Sequence, residues 1–558
     1  MTALFKQPVG IIGSQTGLVV RAVGPAAIVV CVLVLATLSL LLTAPTDGDF
    51  WWNDAPRHAM DGVFVKDLVA AHPVHDPVQW AIDYYLKRPA LAIMFYPPLF
   101  AGAEAIAFAL FGVSQFVAQS TVSLFILLLA SSTYTLSRML LPRWSAVGAA
   151  LLVIGSPETA FWGRQVMLDV PAYALIVTSG CCLAMYLKGG RPLLIYLTTL
   201  FLLAAIYTKY NAGVLAPALA MTFVVVKGKG AFRDRHAILA GALALLGLLP
   251  AFFAQLKFGA VNRDSVSGLT DTLPLNTLEC WLYYIKLLPS QLGLIPVLLG
   301  IGGLALMVKR SVRSRDRWVY GLLLAWIAVG YLCFTLISVK EPRHSIMALL
   351  PLAVAAPLFV HAILPKSLGE GAGLLLGVVT LAYTLLFCPV SRIEGYQDIA
   401  TYLEDNVPPG GIVLYSGFRD ANLIFDLATS RGRSDITVVR ADKLLVTTKA
   451  GERRRGVKQA DDSEATIAQM LRDLGASYFV IQPGFWGDLA VMDRFDKVIS
   501  GPDYRKTGHF ALSGNLSTQD GIQGIDIFRP TYEVSAKPHG ISIDMPLASQ
   551  RFEGTIGR

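Results

Sequence analysis

Charge is scarce in this chain. Only 15% of its 558 residues are Asp, Glu, Lys or Arg, where a soluble globular protein carries about a quarter. That shortage excludes a wholly soluble protein. Cysteine is scarce too. There are six, and Cys31, Cys181, Cys182, Cys333 and Cys388 fall in or at the ends of apolar runs. Such scatter excludes a disulfide framework and a metal knuckle. No cleavable signal is read at the start: Met1 to Arg21 is short and basic, and the run that follows is long enough to span. The net charge of +8 invites a nucleic-acid reading. The basic residues, however, sit in short loops between apolar runs, the pattern of membrane orientation, so no nucleic-acid partner is expected.

Apolar residues make up 54% of the chain, and the mean hydropathy is +0.55. A polytopic membrane protein with room for a soluble domain follows. A bilayer core about 30 Å thick needs roughly 20 helical residues. Eleven stretches qualify or nearly so: 25–44, 115–136, 144–161, 170–187, 192–208, 211–226, 237–256, 290–308, 318–338, 345–363 and 371–389. A further apolar run, 97–112, opens with Pro97-Pro98 and carries Glu104. If it does not span, Lys6 and Arg21, Arg138 and Arg143, Lys188 and Arg191, Lys227 to Arg235, Lys309 to Arg317 and Lys366 all fall on one side. The positive-inside rule makes that side cytoplasmic. Residues 97–112 then read as a helix lying in the outer interface.

The expected fold is therefore an all-α membrane domain of about eleven transmembrane helices plus interfacial helices, with a C-terminal soluble α/β domain. Residues 1–22 are a cytoplasmic tail, 23–390 the membrane domain with a first outer loop at 45–114, and 391–558 an outer domain. In that last part, "DIATYLEDNVPPGGIVLYSG" and "ATIAQMLRDLGASYFVIQPG" each read as helix, turn and strand, and "ITVVRA" as a strand. The alternation predicts a largely parallel sheet. No G-x-G-x-x-G is present, so nucleotide binding is not expected.

The outer side gathers ionisable residues. Asp54, Arg57 and His58 follow the first span; Arg164 and Asp169 lie between spans three and four; Lys209 ends span five; Lys340, Glu341, Arg343 and His344 lie between spans nine and ten. Charges at span ends are costly unless solvated or paired, which makes these candidate site residues. Carboxylates with several cations at headgroup level suit a lipid-linked phosphate and an acceptor hydroxyl that must lose a proton. Blander readings stand beside this one. Lys340 serves equally as an interface anchor. Asp61 and Asp67 read as the solvated face of an interfacial helix, and His72 and His75 as a solvated loop. Trp51 and Trp52 are aromatic-belt residues or, with Tyr84, Tyr85, Phe95 and Tyr96, a sugar-binding rim.

The order of "APRHAMDGVF", "YPPLF", "GRQVMLDVPAYAL", "TKYNAGVLAPAL" and "EPRHSIMALLPL" resembles the GT-C glycosyltransferases. It is nearer to the branch of protein O-mannosyltransferases and bacterial lipid A aminoarabinose transferases, over most of residues 20–390. The resemblance implies a catalytic role for Asp54 and Asp169 and a phosphate contact for Arg343. The aminoarabinose transferases carry an acidic residue and a lysine before the paired prolines; this chain has Phe95-Tyr96. Phosphate binding then falls to Lys209, Arg343 and Arg164, and participation of a divalent metal ion stays open. Arg57, His58, Tyr96, Glu341 and His344 are candidate substrate-binding residues.

The resemblance implies a hexosyl- or pentosyltransferase of the bacterial plasma membrane, using a polyprenyl-phosphate sugar. The acceptor is a lipid, a glycan or a protein. Rival readings are a transporter, and a lipid-linked oligosaccharide polymerase or ligase. The C-terminal domain is expected to shape acceptor access, so that a chain ending near residue 392 keeps some activity.

Overall fold

The computed structural model describes residues 24–557 apart from 268–271, 314–316, 338, 430–432, 449–456, 516–523, 535–537 and 546–549. The N-terminal tail with Lys6 and Arg21, and Arg315, lie outside the described residues.

The first span, α1 (Pro25–Leu42), opens on a proline at its first helical position. Its sequence is rich in β-branched residues, which weaken helices in water. In hydrocarbon the backbone must satisfy itself, so the helix is enforced. Thr37 and Thr43 return their hydroxyls to carbonyls of the preceding turn. Val30, Leu35 and Leu42 face outward, as lipid contact requires.

The first loop holds α2 (Ala55–Ala71), α3 (Pro77–Lys87) and α4 (Leu99–Phe111). Then α5 (Gln115–Ser137) returns, followed by α6 (Arg143–Gly155) and α7 (Pro157–Gly163), a pair bent by 62°. Next come α8 (Asp169–Gly189), α9 (Pro192–Thr208), a 3-10 turn (Tyr210–Leu215) leading α10 (Ala216–Lys227), and α11 (Arg235–Ser267). After α12 (Leu278–Leu292) come α13 (Leu294–Arg313) and α14 (Arg317–Leu336). A 3-10 turn (Pro342–Ala348) then meets α15 (Leu350–Ile363) at 54°, and α16 (Lys366–Phe387) closes the bundle.

Eight of the described helices are long and apolar enough to cross a membrane, and the two bent pairs raise the number to ten. The chain is a multi-pass membrane protein. The 17-residue α9 is apolar but shorter than these helices, and packs against α8. The span expected at 144–161 is thus broken at Ser156, and that at 345–363 at Leu349. The 97–112 run is the 13-residue α4, too short to cross a 30 Å core at 1.5 Å per residue. It packs on α2 where Gly62 leaves no room beside Glu104.

Helices α6 and α16 meet backbone to backbone. A Cβ at Gly148 would come 1.9 Å from the Gly373 carbonyl oxygen, and one at Gly377 2.2 Å from that of Gly148. Small residues permit this approach, and dispersion between the closely packed helices replaces the hydrophobic drive that lipid cannot supply.

The C-terminal domain centres on a five-stranded sheet in the order Thr437–Arg440, Ile412–Ser416, Ala476–Ile481, Ile525–Pro530, Tyr504–Phe510. The first three strands are parallel, and the last two join antiparallel. The sheet is therefore mixed, not largely parallel. Strands 504–510 and 525–530 pair antiparallel along most of their length, from Tyr504 opposite Pro530 to Phe510 opposite Ile525. The boundary at 390 is also blurred. Tyr85 and Leu86 of α3 belong to the hydrophobic core of the C-terminal domain, where Tyr85 meets Phe552 edge to face at 5.6 Å.

Candidate active site

Asp54 ends the stretch between α1 and α2. Its Oδ2 accepts from Trp52 Nε1 at 3.3 Å and from the Tyr96 hydroxyl at 3.4 Å, and Arg343 Nη1 lies 3.8 Å away. Burial works to raise the carboxyl, but the opposing interactions, of which Arg343 is the largest, followed by His58 and Arg57, outweigh it and hold Asp54 below the ordinary carboxylate range. Asp54 in turn pushes the Tyr96 hydroxyl up, so Tyr96 stays a proton donor.

Asp169 opens α8 and is fully buried. Lys209, at the end of α9, donates to its Oδ1 at 2.5 Å. Arg343 sits in the 3-10 turn before α15, its guanidinium 5.2 Å from the ring centres of both Trp52 and Trp162, which meet each other edge to face at 5.3 Å. Its Nε donates to Glu341 at 2.5 Å. His344 Nε2 is 3.8 Å from the same Glu341 oxygen. His58, on the first turn of α2, meets the Tyr96 ring edge-on at 4.8 Å. Burial pulls its pKa down to about 4, with the Lys209 and Arg343 charges adding to the effect, so at neutral pH it is uncharged.

Four buried polar atoms of this cluster have no hydrogen-bond partner among the described residues: Arg343 Nη1, Asp169 Oδ2, His58 Nε2 and His344 Nδ1. Other buried polar atoms without such a partner are spread through the molecule, Glu104 and Asp426 among them, but these four lie in the cluster where charges of both signs meet.

Three expected members point elsewhere. Arg164 caps its own helix, donating to the Ala160 carbonyl at 3.1 Å, and ties it to the end of α16 through the Cys388 carbonyl at 3.1 Å. It is not a phosphate ligand in this arrangement. Arg57 turns to the C-terminal domain and pairs with Asp420 at 2.7 Å. Lys340 is a helix cap, donating to Thr335 and Ile337 carbonyls at 2.5 and 2.6 Å. Asp61 is not a solvated residue of an amphipathic face. It is 4% exposed and accepts from the backbone N–H groups of Ala92 and Ile93, and burial pushes its pKa up to about 8. Trp162 and Glu158, hydrogen-bonded at 2.8 Å, were not singled out from the sequence, yet Trp162 forms one wall around Arg343. An aromatic at a span end reads as an interface anchor, and only the bend at Ser156 turns it inward.

Among the described residues no group of three His, Cys, Asp or Glu side chains could hold a metal ion. No step is assigned to a metal.

The family described as dolichyl-phosphate-mannose-protein mannosyltransferase matches residues 96–253. ArnT from Cupriavidus metallidurans, bound to undecaprenyl phosphate, superposes with a TM-score of 0.59 at 14% identity, over 92% of this chain and 100% of that one. The archaeal oligosaccharyltransferase AglB from Archaeoglobus fulgidus, in complex with an inhibitory peptide and a dolichol-phosphate, gives 0.52 at 13% identity, over 82% of this chain and 69% of that one. No curated protein sequence matches at a significant level. The chain has the GT-C glycosyltransferase fold. Within that class it resembles the branch of the mannosyltransferases and ArnT.

Proposed function

We propose that this protein moves a sugar from a polyprenyl-phosphate donor to an acceptor hydroxyl at the outer face of a bacterial plasma membrane, with inversion at the anomeric carbon. The observation that carries the reading is Arg343. It is a buried guanidinium against the Trp52 and Trp162 rings, with two carboxylates beside it and its Nη1 ion-paired to Asp54 but without a hydrogen bond. An apolar groove of about 300 Å³ is lined by Tyr284, Leu288, Ile327, Tyr331, Leu352 and Ser345, the last from the same 3-10 turn as Arg343. A phosphate with a long hydrocarbon tail matches a cation beside such a groove. The undecaprenyl phosphate of ArnT and the dolichol-phosphate of AglB support the same class of donor.

Asp54 takes the proton of the acceptor hydroxyl. The acceptor oxygen bonds to the anomeric carbon from the face opposite the phosphate, and the carbon–oxygen bond to the phosphate breaks. The electron pair leaves on the polyprenyl phosphate, whose added negative charge is met by Arg343 and Lys209. A general base contributes about 10²–10⁴-fold. Stabilising the leaving phosphate supplies much of the remainder. Asp169 holds Lys209 in place, and Tyr96 and His58 shape the acceptor side.

The test uses the full chain in vesicles with a polyprenyl phosphate carrying a labelled sugar. Label moving to an added lipid, glycan or peptide acceptor, with release of polyprenyl phosphate, supports the reading. Passage of labelled lipid across the membrane without transfer would make the protein a transporter. Transfer only of whole oligosaccharides from a diphosphate carrier would make it a polymerase or ligase.

A further inference from the structure

We propose that the C-terminal domain is a positioning element of the reaction centre, holding the strand that carries Asp54, with Asn422 as its central positioning residue. The proposal rests on the reading of Asp54 given above.

The stretch from Gly48 to Trp51 belongs to no helix, yet a partner from the C-terminal domain meets every residue of it. Gln397 Nε2 donates to the Gly48 carbonyl at 3.1 Å. Asp49 N donates to the Ile393 carbonyl at 3.1 Å, and its carboxylate accepts from Tyr396 N at 2.8 Å. The Asn422 amide takes both backbone groups of Phe50: Oδ1 accepts from its N–H at 3.0 Å and Nδ2 donates to its carbonyl at 2.9 Å. Arg419 donates to the Trp51 carbonyl. The Phe50 ring meets Phe425 edge to face at 5.1 Å.

Three residues later the chain reaches Asp54, and one turn into α2 the clamp resumes. Arg57 pairs with Asp420, whose second oxygen takes Arg440 at 2.8 Å; Arg440 in turn forks onto Asp442. One helix, Asp420–Thr429, supplies Asp420, Asn422 and Phe425. Asp54 is thus fixed on both sides by the same helix of a domain more than 360 residues away in sequence, as the Arg57–Asp420 separation of 363 shows.

The chemistry suits positioning. A primary amide offers a donor and an acceptor in one plane, so a single Asn imitates a β-partner to one residue. It is 1% exposed, so water does not compete for these bonds. A base works only when held within hydrogen-bond reach of the acceptor proton, and a 1 Å misplacement costs about a hundredfold. A chain ending near residue 392 would lose every one of these bonds. The expectation that it keeps transfer is reversed.

The experiment compares the full-length wild type with Asn422→Leu, Asp420→Asn and Asp54→Asn. It reads donor affinity, kcat and the pH dependence of kcat/KM, with folding followed by tryptophan fluorescence in detergent. Asn422→Leu keeps the size and leaves Phe50 N–H and C=O unpaired. It should lower kcat about a hundredfold with donor affinity unchanged. Asp420→Asn keeps the shape and removes a negative charge from Arg57. It should lower kcat less, and move the acid limb of kcat/KM to lower pH as Arg57 acts more strongly on Asp54. That movement is one a purely structural clip would not cause, and it carries the test should Asn422→Leu fail to fold. Unchanged kcat in both variants, with Asp54→Asn inactive, overturns the proposal alone. A fall in donor affinity that matches the fall in kcat, with an unmoved acid limb, overturns it too. Full transfer by Asp54→Asn overturns the reading of Asp54 and the proposal with it.

Discussion

Arg343 separates two effects that a phosphate-binding site combines, charge and shape. Its side chain is 8% exposed, set against two tryptophan rings, and within 3.8 Å of Asp54. Lysine keeps the charge but has no plane to stack and no fork to present to two phosphate oxygens. A hydrogen bond to a charged group is worth about 1.5–3 kcal/mol, so Arg343→Lys should bind donor roughly one to two decades more weakly. Arg343→Ala should lose at least as much and also leave Asp54 and Glu341 without their cation. Arg343 is the strongest of the charges that lower the Asp54 carboxyl, so without it that carboxyl titrates higher. The base works only when ionised. The acid limb of kcat/KM therefore moves up in pH for Arg343→Ala and stays near the wild type for Arg343→Lys. The assay is donor affinity at fixed salt together with a pH–rate profile for the three proteins. Equal affinities with an unmoved limb would refute the reasoning, leaving Arg343 an interface anchor and Lys209 the phosphate ligand.

Asp54→Asn should fold and bind donor yet lose about 10²–10⁴ in kcat; a near-normal rate in purified protein would move the base to Asp169. Gly148→Leu drives a side chain into the Gly373 carbonyl and should destabilise the bundle by about 1–3 kcal/mol, read as a lower melting temperature in detergent; an unshifted melting point would mean that α6 and α16 do not touch there. Asp61 has a folded pKa near 8 against an ordinary 3.8, so the stability it contributes is complete below about pH 4 and is lost as pH rises through 8. Asp61→Asn can still accept from Ala92 and Ile93 and cannot ionise, so its melting temperature should fall less than the wild type's between pH 6 and 9; parallel curves would show that Asp61 is ionised throughout. A reporter fused after residue 112 should report the outer side and one after Arg315 the cytoplasm, and a cytoplasmic signal at 112 would reverse the orientation.

The bundle was legible because its signal is local. An apolar run of twenty residues has one stable conformation in lipid, and alternation then assigns each loop to an end. Asp54, Asp169, Lys209, Glu341, Arg343 and His344 could be grouped on that ground alone, since each lies at the same end of a span. Direction was not legible. Arg164 lies at that end too, yet its guanidinium reaches back to Ala160 and across to Cys388. Asp61 looked solvated because nothing near it in sequence shows that residues 90–93 fold over it, 31 positions away. Arg57 needed a partner 363 residues off. The mixed sheet was missed because the 504–510 strand barely alternates, with only Tyr504 of it buried.

Backbone irregularity completes what charge began. Each side chain around Arg343 comes from a place where a helix breaks or ends: Trp162 from α7 beyond the 62° bend, Arg343 from the 3-10 turn before the 54° bend, Lys209 from the junction of α9 with a second 3-10 turn, and Asp169 from the start of α8. Broken backbone in a membrane protein survives only where protein covers it or water reaches it, because hydrocarbon offers it no hydrogen bonds. Broken helices also serve transporters, which place them in two related halves around a central site. Here the breaks gather at one end of the bundle, against the strand the C-terminal domain holds, and no internal repeat pairs them. Helix ends release backbone groups and let short polar segments turn inward, so the breaks bring four chain segments to one guanidinium. Under the donor reading proposed above, a phosphate carried by a hydrocarbon tail would meet its charge at these breaks, which a lipid-borne sugar donor needs and a water-soluble one does not.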